Sequence, residues 1–555
     1  MNRIFKTTLT AGSAAVLSAG LQAADAPFYT LEEISGNTKE YGYRLADSSS
    51  DYLTIRQKYD WWSFFDSVPT EIDLGDRYTY TIGCYYDSKV CDAYYNEDNE
   101  NDGRGHSFYK AIHENAAYTY SLLNGGGRSS NLQGFRRNLS SDGTIIAGWI
   151  DNSERSFETG ARFPVVWING EKLQLGDQGF GMASEAVRTD DGAIIVGGAA
   201  TETLIASNDR YHYCYEDYRY SNYDGNLRHC PGYHNKASLW AIDQDNSVTD
   251  QVYLAHYGSA GDKELSTADI RKIVRINDIY YAFGNSATDD IGWDTSSIAT
   301  YWTFGLEDGK FVDVSNWTLP SGIDRPGKGD EHYGSTWFVD ANDNGLAVGN
   351  ARYTDLKNRA YPIEMFIYDP VEDKTYTPIR DKPFYGATNR AVAINSHNLI
   401  VGISDNRDSQ ESVANGNPRQ TDGYLYNYNT DRLYSLNDLI CTDSTCEING
   451  KYYYIYNVGD INSDNEIIAN AYRYDSYEDW GNYNNPTNVT IKLKSDLFDE
   501  TDDAWSIPDE YVVTYTRPKI SYDEDKKRGH SGSLPLGGLA ALSLLLAGRL
   551  LRKRG

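Results

Sequence analysis

Six stretches of this chain repeat one alternation: a short apolar segment, a polar turn, and an apolar run that ends in small residues. They read FRRNLSSDGTIIAGW from Phe135, EAVRTDDGAIIVGG from Glu185, KIVRINDIYYAFGN from Lys272, WFVDANDNGLAVGN from Trp337, RAVAINSHNLIVGI from Arg390 and NVGDINSDNEIIANA from Asn457. Turns such as Ser141-Asp142-Gly143, Asp190-Asp191-Gly192 and Asp343-Asn344-Gly345 between apolar runs predict tight hairpins with positive φ at both turn positions, as in a type I′ turn. The run after the turn (Thr144 to Ala147, Ala193 to Val196, Leu399 to Val401) is apolar on consecutive residues, so both faces of that strand are expected to be covered. Gly148, Gly197, Gly284, Gly349 and Gly402 follow it and point to close backbone approach, with Asn470 in their place in the sixth copy. Asn138, Asn277, Asn342, Asn395 and Asn462 precede the turn in five copies and are read as side chains that fix it.

Downstream of five copies a second hairpin carries an aromatic on its first strand: Trp167, Trp240, Trp302, Tyr368 and Tyr426. Two hairpins make a four-stranded unit, and the aromatics are placed to fill space between units. The expected fold is all-β: a β-propeller of six four-stranded blades over residues 134–522, with loop insertions, and with residues 24–133 able to supply a seventh, degenerate blade. Within that N-terminal segment Phe28 to Ile34 reads as a strand that could complete the last blade and close the ring, and Ser107 to Leu123 as a short helix. TNVTIKL (from Thr487) and EYVVTYT (from Glu510) are expected to finish the last blade. Insertions on one face are where repeat folds place binding surfaces, which makes the loop with Tyr211, Tyr213, Tyr215, Tyr218, Tyr220 and Tyr223 the candidate ligand contact.

The six copies with their second hairpins resemble the HAF-type extracellular repeat, whose pattern is Ala-x-Ile-Asn, a turn, Ile-Val-Gly and a later aromatic strand. Arg390 to Ile403 followed by Gly423 to Leu436 matches it most fully. The resemblance covers about residues 134 to 480 and implies a secreted Gram-negative bacterial protein; it implies no activity.

The ends agree with export. Met1 to Ala23 has a short basic start (Arg3, Lys6), an apolar centre and a signal-peptidase-like Leu21-Gln22-Ala23, and is read as a signal peptide. At the other end a charged linker (residues 523–533) leads into an apolar run from Leu534 to Leu546 and a basic terminus. This tail resembles the GlyGly-type sorting tails of Gram-negative bacteria, with Ser531, Gly532 and Ser533 where the pattern carries two glycines. The resemblance implies cleavage by a rhomboid-type protease; the alternative is a plain C-terminal membrane anchor, oriented by the basic end. The expected location is the periplasm, the outer surface or the medium, with the membrane touched only through this segment.

Charge removes one class of partner. With 80 Asp and Glu against 51 Lys and Arg the net charge is -29, and the repelling field excludes nucleic acid. The six cysteines form three local pairs, and the economical set is Cys84 with Cys91, Cys214 with Cys230 and Cys441 with Cys446, as disulfides in an oxidising compartment. No P-loop, nucleophile elbow, dinucleotide fingerprint or H-E-x-x-H helix occurs. Calcium is the one cofactor suggested: Asp98, Glu100 and Asp102 imitate the first half of an oxygen-ligand loop, as do Asp340-x-Asn342-x-Asn344 and Asp460-x-Asn462-x-Asp464, although the latter two coincide with repeat turns. The leading function is a secreted or cell-surface propeller that binds a glycan or a surface protein. The alternatives are an extracellular polysaccharide hydrolase or lyase, and a structural envelope protein.

Overall fold

A computed structural model of the chain describes residues 27–35, 40–48, 51–57, 117–122, 135–151, 162–176, 181–201, 235–257, 267–289, 295–323, 333–353, 362–406, 420–441, 446–482, 484–495 and 507–513. These residues are nearly all strand, with two short helices, Leu436–Ile440 and Tyr477–Asn482. Sheet one holds Glu40–Leu45, Tyr52–Gln57 and Ala117–Leu122. Sheet two holds Phe135–Leu139, Ile145–Asp151, Arg162–Ile168 and Glu171–Gln174, and sheet three Met182–Arg188, Ile194–Thr201, Asn235–Ile242 and Val248–Tyr253. Sheet four holds Thr267–Ile276, Ile279–Asp289, Thr295–Glu307 and Lys310–Val312. Sheets five (Tyr333–Ala341, Ala347–Tyr353, Ile363–Asp369, Lys374–Tyr376) and six (Asn389–Ile394, Leu399–Asp405, Thr421–Asn427, Arg432–Ser435) are joined by a single parallel bridge, Glu364 to Asn389. Sheet seven holds Lys451–Ile461, Ile467–Tyr474 and Thr487–Lys494, with the two-residue Glu447–Ile448 on its inner edge and the N-terminal Thr30–Ser35 on its outer edge.

Each sheet packs against the next in chain order, and sheet seven against sheet one, with the first strands of successive sheets in contact around the whole circuit. That arrangement is a β-propeller, in which the first strands form the innermost circle. Thr30–Ser35 closes it: the strand runs antiparallel to Thr487–Lys494, held by Glu33 to Arg473 at 2.7 Å and Glu32 to Lys494 at 2.8 Å.

The aromatics of the second hairpins fill the gaps between sheets. Trp240 packs with Ile145 and Val166 of sheet two, Trp302 with Ile195 and Leu239 of sheet three, Tyr368 with Val274 and Phe283 of sheet four, and Tyr426 with Val348 and Ile367 of sheet five. Each lies on the preceding sheet, so the same residue type at the same repeat position seals successive interfaces. Gly284, Gly349 and Gly402 lie against the innermost strand of their own sheet, whereas a Cβ on Gly197 would meet Ile270 and Ile273 of the next sheet, and in that copy Gly198 is the glycine against the innermost strand, at Met182. A Cβ on Gly402 would stand 2.0 Å from the Arg390 carbonyl oxygen, and one on Gly284 would stand 1.8 Å from that of Asp269.

Four expectations are corrected. Five of the six repeat turns are not type I′: in them only Gly143, Gly192, Gly345, Asn398 and Asn465 have positive φ, each at the end of its turn, whereas the third copy's turn, Asn277-Asp278, has positive φ at both positions as expected. The turn begins one residue earlier, with Gly345 N–H donating to the Asn342 carbonyl and Asn398 N–H to that of Asn395, which is a type I turn closed by a left-handed residue. Positive φ at both positions also occurs in the second hairpins at Asn169-Gly170 and Asp308-Gly309, and at Asn449-Gly450. Second, Asn138 lies on the innermost strand, two residues before the turn, and Asn277 is itself a turn residue. Third, Ala117–Leu122 is a strand of sheet one; its alternating Tyr118 and Tyr120 suit a strand, and pairing with Tyr52–Gln57 decides the state. Fourth, the segment after Glu510 joins sheet six, where Val512 bridges Tyr434 and Val513 N–H donates to Leu433, because Thr30–Ser35 already occupies the outer edge of sheet seven.

Candidate functional site

Every innermost strand carries a β-bulge, and the residue after it falls at an equivalent place on each: Arg44, Asn138, Glu185, Lys272, Asp340, Ala393 and Asp460, on sheets one to seven in order. A bulge locally breaks the alternation of a strand and re-aims a side chain, and a bulge at the same place on each innermost strand sets these seven residues at equivalent positions around the circuit. Six of the seven are polar or charged. They form a nearly continuous chain of contacts around the ring.

Asn138 Nδ2 donates to Glu185 Oε2. Lys272 Nζ stands 3.3 Å from Glu185 Oε1 and 3.7 Å from Asp340 Oδ1, so one ammonium ties sheets three, four and five. Asp340 Oδ2 accepts from the Ile394 N–H of sheet six at 2.9 Å. Asp460 Oδ2 accepts from the Leu45 N–H of sheet one at 3.0 Å and its Oδ1 from Ile461 N–H at 2.9 Å. Arg44 completes the circuit, donating to the Gly459 carbonyl at 3.0 Å with its guanidinium 4.5 Å from the centre of the Tyr43 ring.

The ring perturbs its own titration. Burial pushes the Glu185 carboxyl up to about 7, aided by Asp340 and opposed by Lys272 and Arg44. Asp460 is likewise pushed up to about 7, by burial first, then by Asp340 and Asp47 against Arg44 and the Leu45 amide. For Lys272 burial favours the neutral amine, but Glu185, Asp340, Asp47 and Asp460 outweigh it and hold the ammonium well above its ordinary value. Glu185 is 4% exposed, whereas Lys272 and Asp340 keep 27% and 16% of their side-chain surface, so the ring is partly open to solvent. Two carboxyls that exchange protons near neutrality, with fixed cations and amides between them, are able to donate to or accept from a ligand's hydroxyls.

A second band of contacts braces the ring from the turns. Asn342 Nδ2 donates to the Asn395 carbonyl at 2.8 Å, Asn395 Nδ2 to the Asn462 carbonyl at 3.0 Å, and Asn462 Nδ2 to the Ala46 carbonyl at 3.2 Å. The Oδ1 of each accepts from the amide four residues on, so one side chain closes its own turn and latches the next sheet. The pairing corrects the place given to Asn470: Ala469, opposite Val458, holds the position of Gly349 and Gly402, and Asn470 corresponds to Asn350, its Oδ1 accepting from Gly42 N–H at 2.8 Å and its Nδ2 reaching the Gly42 carbonyl at 3.3 Å as Asn350 does with Ala391.

Of the residues the sequence singled out, Asn138, Asp340 and Asp460 stand in this ring, the two aspartates with oxygens already bonded to backbone amides. Among the described residues no group of three or more His, Cys, Asp or Glu is placed to hold a metal. Cys441 and Cys446 are disulfide-bonded. Asp98, Glu100, Asp102, Tyr211, Tyr213, Tyr215, Tyr218, Tyr220, Tyr223, Cys84, Cys91, Cys214, Cys230, Ser531, Gly532 and Ser533 lie outside the described residues, as do Met1 to Ala23 and residues 534–555. No described helix is long and apolar enough to cross a membrane. Sequence reasoning missed Arg44, Glu185 and Lys272. The one available signal was an Asp at the repeat position that holds Ala393 in the fullest copy.

Comparison with known proteins gives a family and likenesses of fold. A family described as "Protein of unknown function (DUF3466)" matches residues 168–504. No curated protein matches the chain by sequence. Among solved structures, the acylaminoacyl peptidase of Pyrococcus horikoshii is similar at 12% identity and a TM-score of 0.35, over 65% of this chain and 46% of that one, so the chain spans less than half of that peptidase. The β-propeller domain of the Trilobed protease from Pyrococcus furiosus is similar at 10% identity and a TM-score of 0.35, over 71% of this chain and 90% of that one. An oligogalacturonate lyase in complex with manganese is similar at 11% identity and a TM-score of 0.33, over 68% and 83%. Likenesses this distant assign no activity.

Proposed function

The chain belongs to the DUF3466 family, and with that kinship and the axial ring as premises we propose that it is an exported β-propeller binding protein that takes a glycan through Arg44, Asn138, Glu185, Lys272, Asp340 and Asp460. The observation that carries the reading is the convergence of these six residues, one from each of six sheets and each placed by a bulge. Sugar hydroxyls both donate and accept, and around the ring donors interleave with acceptors: Arg44, Asn138, Glu185, Lys272, Asp340 and, past Ala393, Asp460. Lys272 and Arg44 offset part of the acid, which suits a neutral ligand better than a polyanion.

The test is a glycan array on the exported protein, comparing wild type with Arg44→Gln and Asp340→Asn. Retention of a glycan by wild type, weakened at least about tenfold by each variant, is the expected result. Binding that both variants retain in full removes the ring from recognition. Capture of a protein and no glycan would make the partner a surface protein.

A second reading, a polysaccharide hydrolase or lyase, is favoured by one observation: the Glu185 and Asp460 carboxyls are both poised near neutral pH, as a general acid or base requires. Release of shortened sugar from a bound polymer, abolished by Glu185→Gln or Asp460→Asn, supports it. Bound but intact polymer supports simple recognition.

A further inference from the structure

At the end of sheet seven opposite the axial ring lies a cluster unlike the cores between sheets. Those cores are rich in Ile, Val, Leu and Ala, whereas this one contains only aromatic residues: Tyr41, Tyr452, Tyr454, Tyr456, Tyr472, Tyr474 and Trp480. Its inner members are fixed. Tyr456 stacks on Tyr472 at 4.2 Å and donates to Asn488 Oδ1 at 2.6 Å, and Tyr454 donates to the Thr421 carbonyl at 2.9 Å. Its outer members reach the surface through the helix Tyr477–Asn482, which buries none of its residues. Tyr477, 57% exposed, and Trp480 are inclined to one another by only 28°, with centroids 5.9 Å apart, and Tyr452 lies 5.9 Å and 6.2 Å from the two. Along the strand Lys451–Ile461, Tyr452 is eight residues from Asp460, which is roughly 26 Å.

We propose that Tyr452, Tyr477 and Trp480 form a second site, separate from the axial ring, that holds a neutral glycan by stacking its sugar rings on aromatic faces. Exposed aromatic platforms serve two ligand classes, sugars and nucleobases, and the surrounding charge decides between them. A nucleic-acid platform needs free cations to follow the phosphates. Among the described residues the two nearby cations are already paired, Lys451 with Asp475 at 2.9 Å and Arg473 with Glu33 at 2.7 Å, while Glu447, Glu478 and Asp479 add negative charge. Tyr452 Oη already donates to Glu447 Oε2 at 3.0 Å, and such carboxylates at the rim accept hydrogen bonds from sugar hydroxyls. Among the described residues the cluster has no aliphatic member, which argues against a docked apolar peptide.

Native electrophoresis of the full protein through gels containing dextran, hydroxyethyl cellulose or galactomannan tests the site. Expected is retardation by at least one polymer, weakened about tenfold by Trp480→Ala and by Tyr477→Ala and restored by Trp480→Phe. Tyr477 is exposed enough that its loss leaves the fold intact, which thermal melting checks. Retardation by none of the three polymers overturns the proposal. So does retardation that survives both alanine variants; if Arg44→Gln abolishes it, the binding belongs to the axial ring, and the reading above stands without the second site. Binding of a 12-residue oligothymidylate that Trp480→Ala removes, in place of the polymers, overturns the choice of ligand.

Discussion

Lys272 is the residue on which the axial ring depends, because its single ammonium neutralises Glu185 and Asp340 from two neighbouring sheets. Lys272→Met leaves Glu185 buried beside a like charge. Loss of the ammonium pushes that carboxyl further up, so the expected cost is on the order of 3 kcal/mol at pH 8, where the wild-type carboxyl is ionised and paired, and less at pH 6, where it is already largely protonated. Chemical denaturation at the two pH values checks this, and an equal cost at both would contradict it. The raised carboxyls give a signed pH dependence. Glu185 and Asp460 bind protons more tightly folded than unfolded, so stability is greatest with them protonated and falls as pH rises from about 5 to about 7, with a slope on the order of 1 kcal/mol per pH unit for each proton lost. Glu185→Gln should flatten this part of the urea-midpoint profile; curves that run parallel to wild type would contradict the assignment. The sequence displays Asp340 and Asp460 at fixed spacing from the turn, where they imitate calcium ligands. Their true neighbours are set by bulges on seven strands, and a bulge leaves no mark in hydrophobic periodicity.

Turns and second hairpins were legible because each is local. Asp and Asn before Gly mark a reversal, and an aromatic at a constant repeat position marks a buried seam. The exact turn type was not legible, since the Asn side chain moves the start of the turn back by one residue when it bonds the amide four positions on. These latches make a prediction at this scale. Asn395→Ala removes bonds to the Leu399 amide within its turn and to Asn462 and Asn465 on the next sheet, and should cost about 1 to 3 kcal/mol. Asn277→Gly, at a residue with φ of 49° in a two-residue turn, should change stability by less than about 1 kcal/mol. Thermal unfolding of the pair separates the roles, and equal losses would refute the distinction.

The whole molecule is a ring closed by strands far apart in sequence. Four-strand periodicity predicted the propeller, while sheet one carries no copy of the repeat and is recognised only through the strands that flank it. Its inner strand meets sheet seven through Asn470 and Asp460, and the outer edge of sheet seven is completed by Thr30–Ser35. Deleting residues 24–35 should therefore expose that edge, remove the ion pairs of Glu32 and Glu33, and abolish cooperative unfolding; a sharp transition retained near the wild-type temperature would show that closure is dispensable. The closed ring matters to function because only closure brings Arg44 round to Asp460. The most direct measurement of the central claim is a titration of the protein with the strongest glycan on the array, by calorimetry, in wild type and Arg44→Gln. The account predicts saturable binding that weakens at least about tenfold in the variant with the fold unchanged; identical binding in both would contradict it.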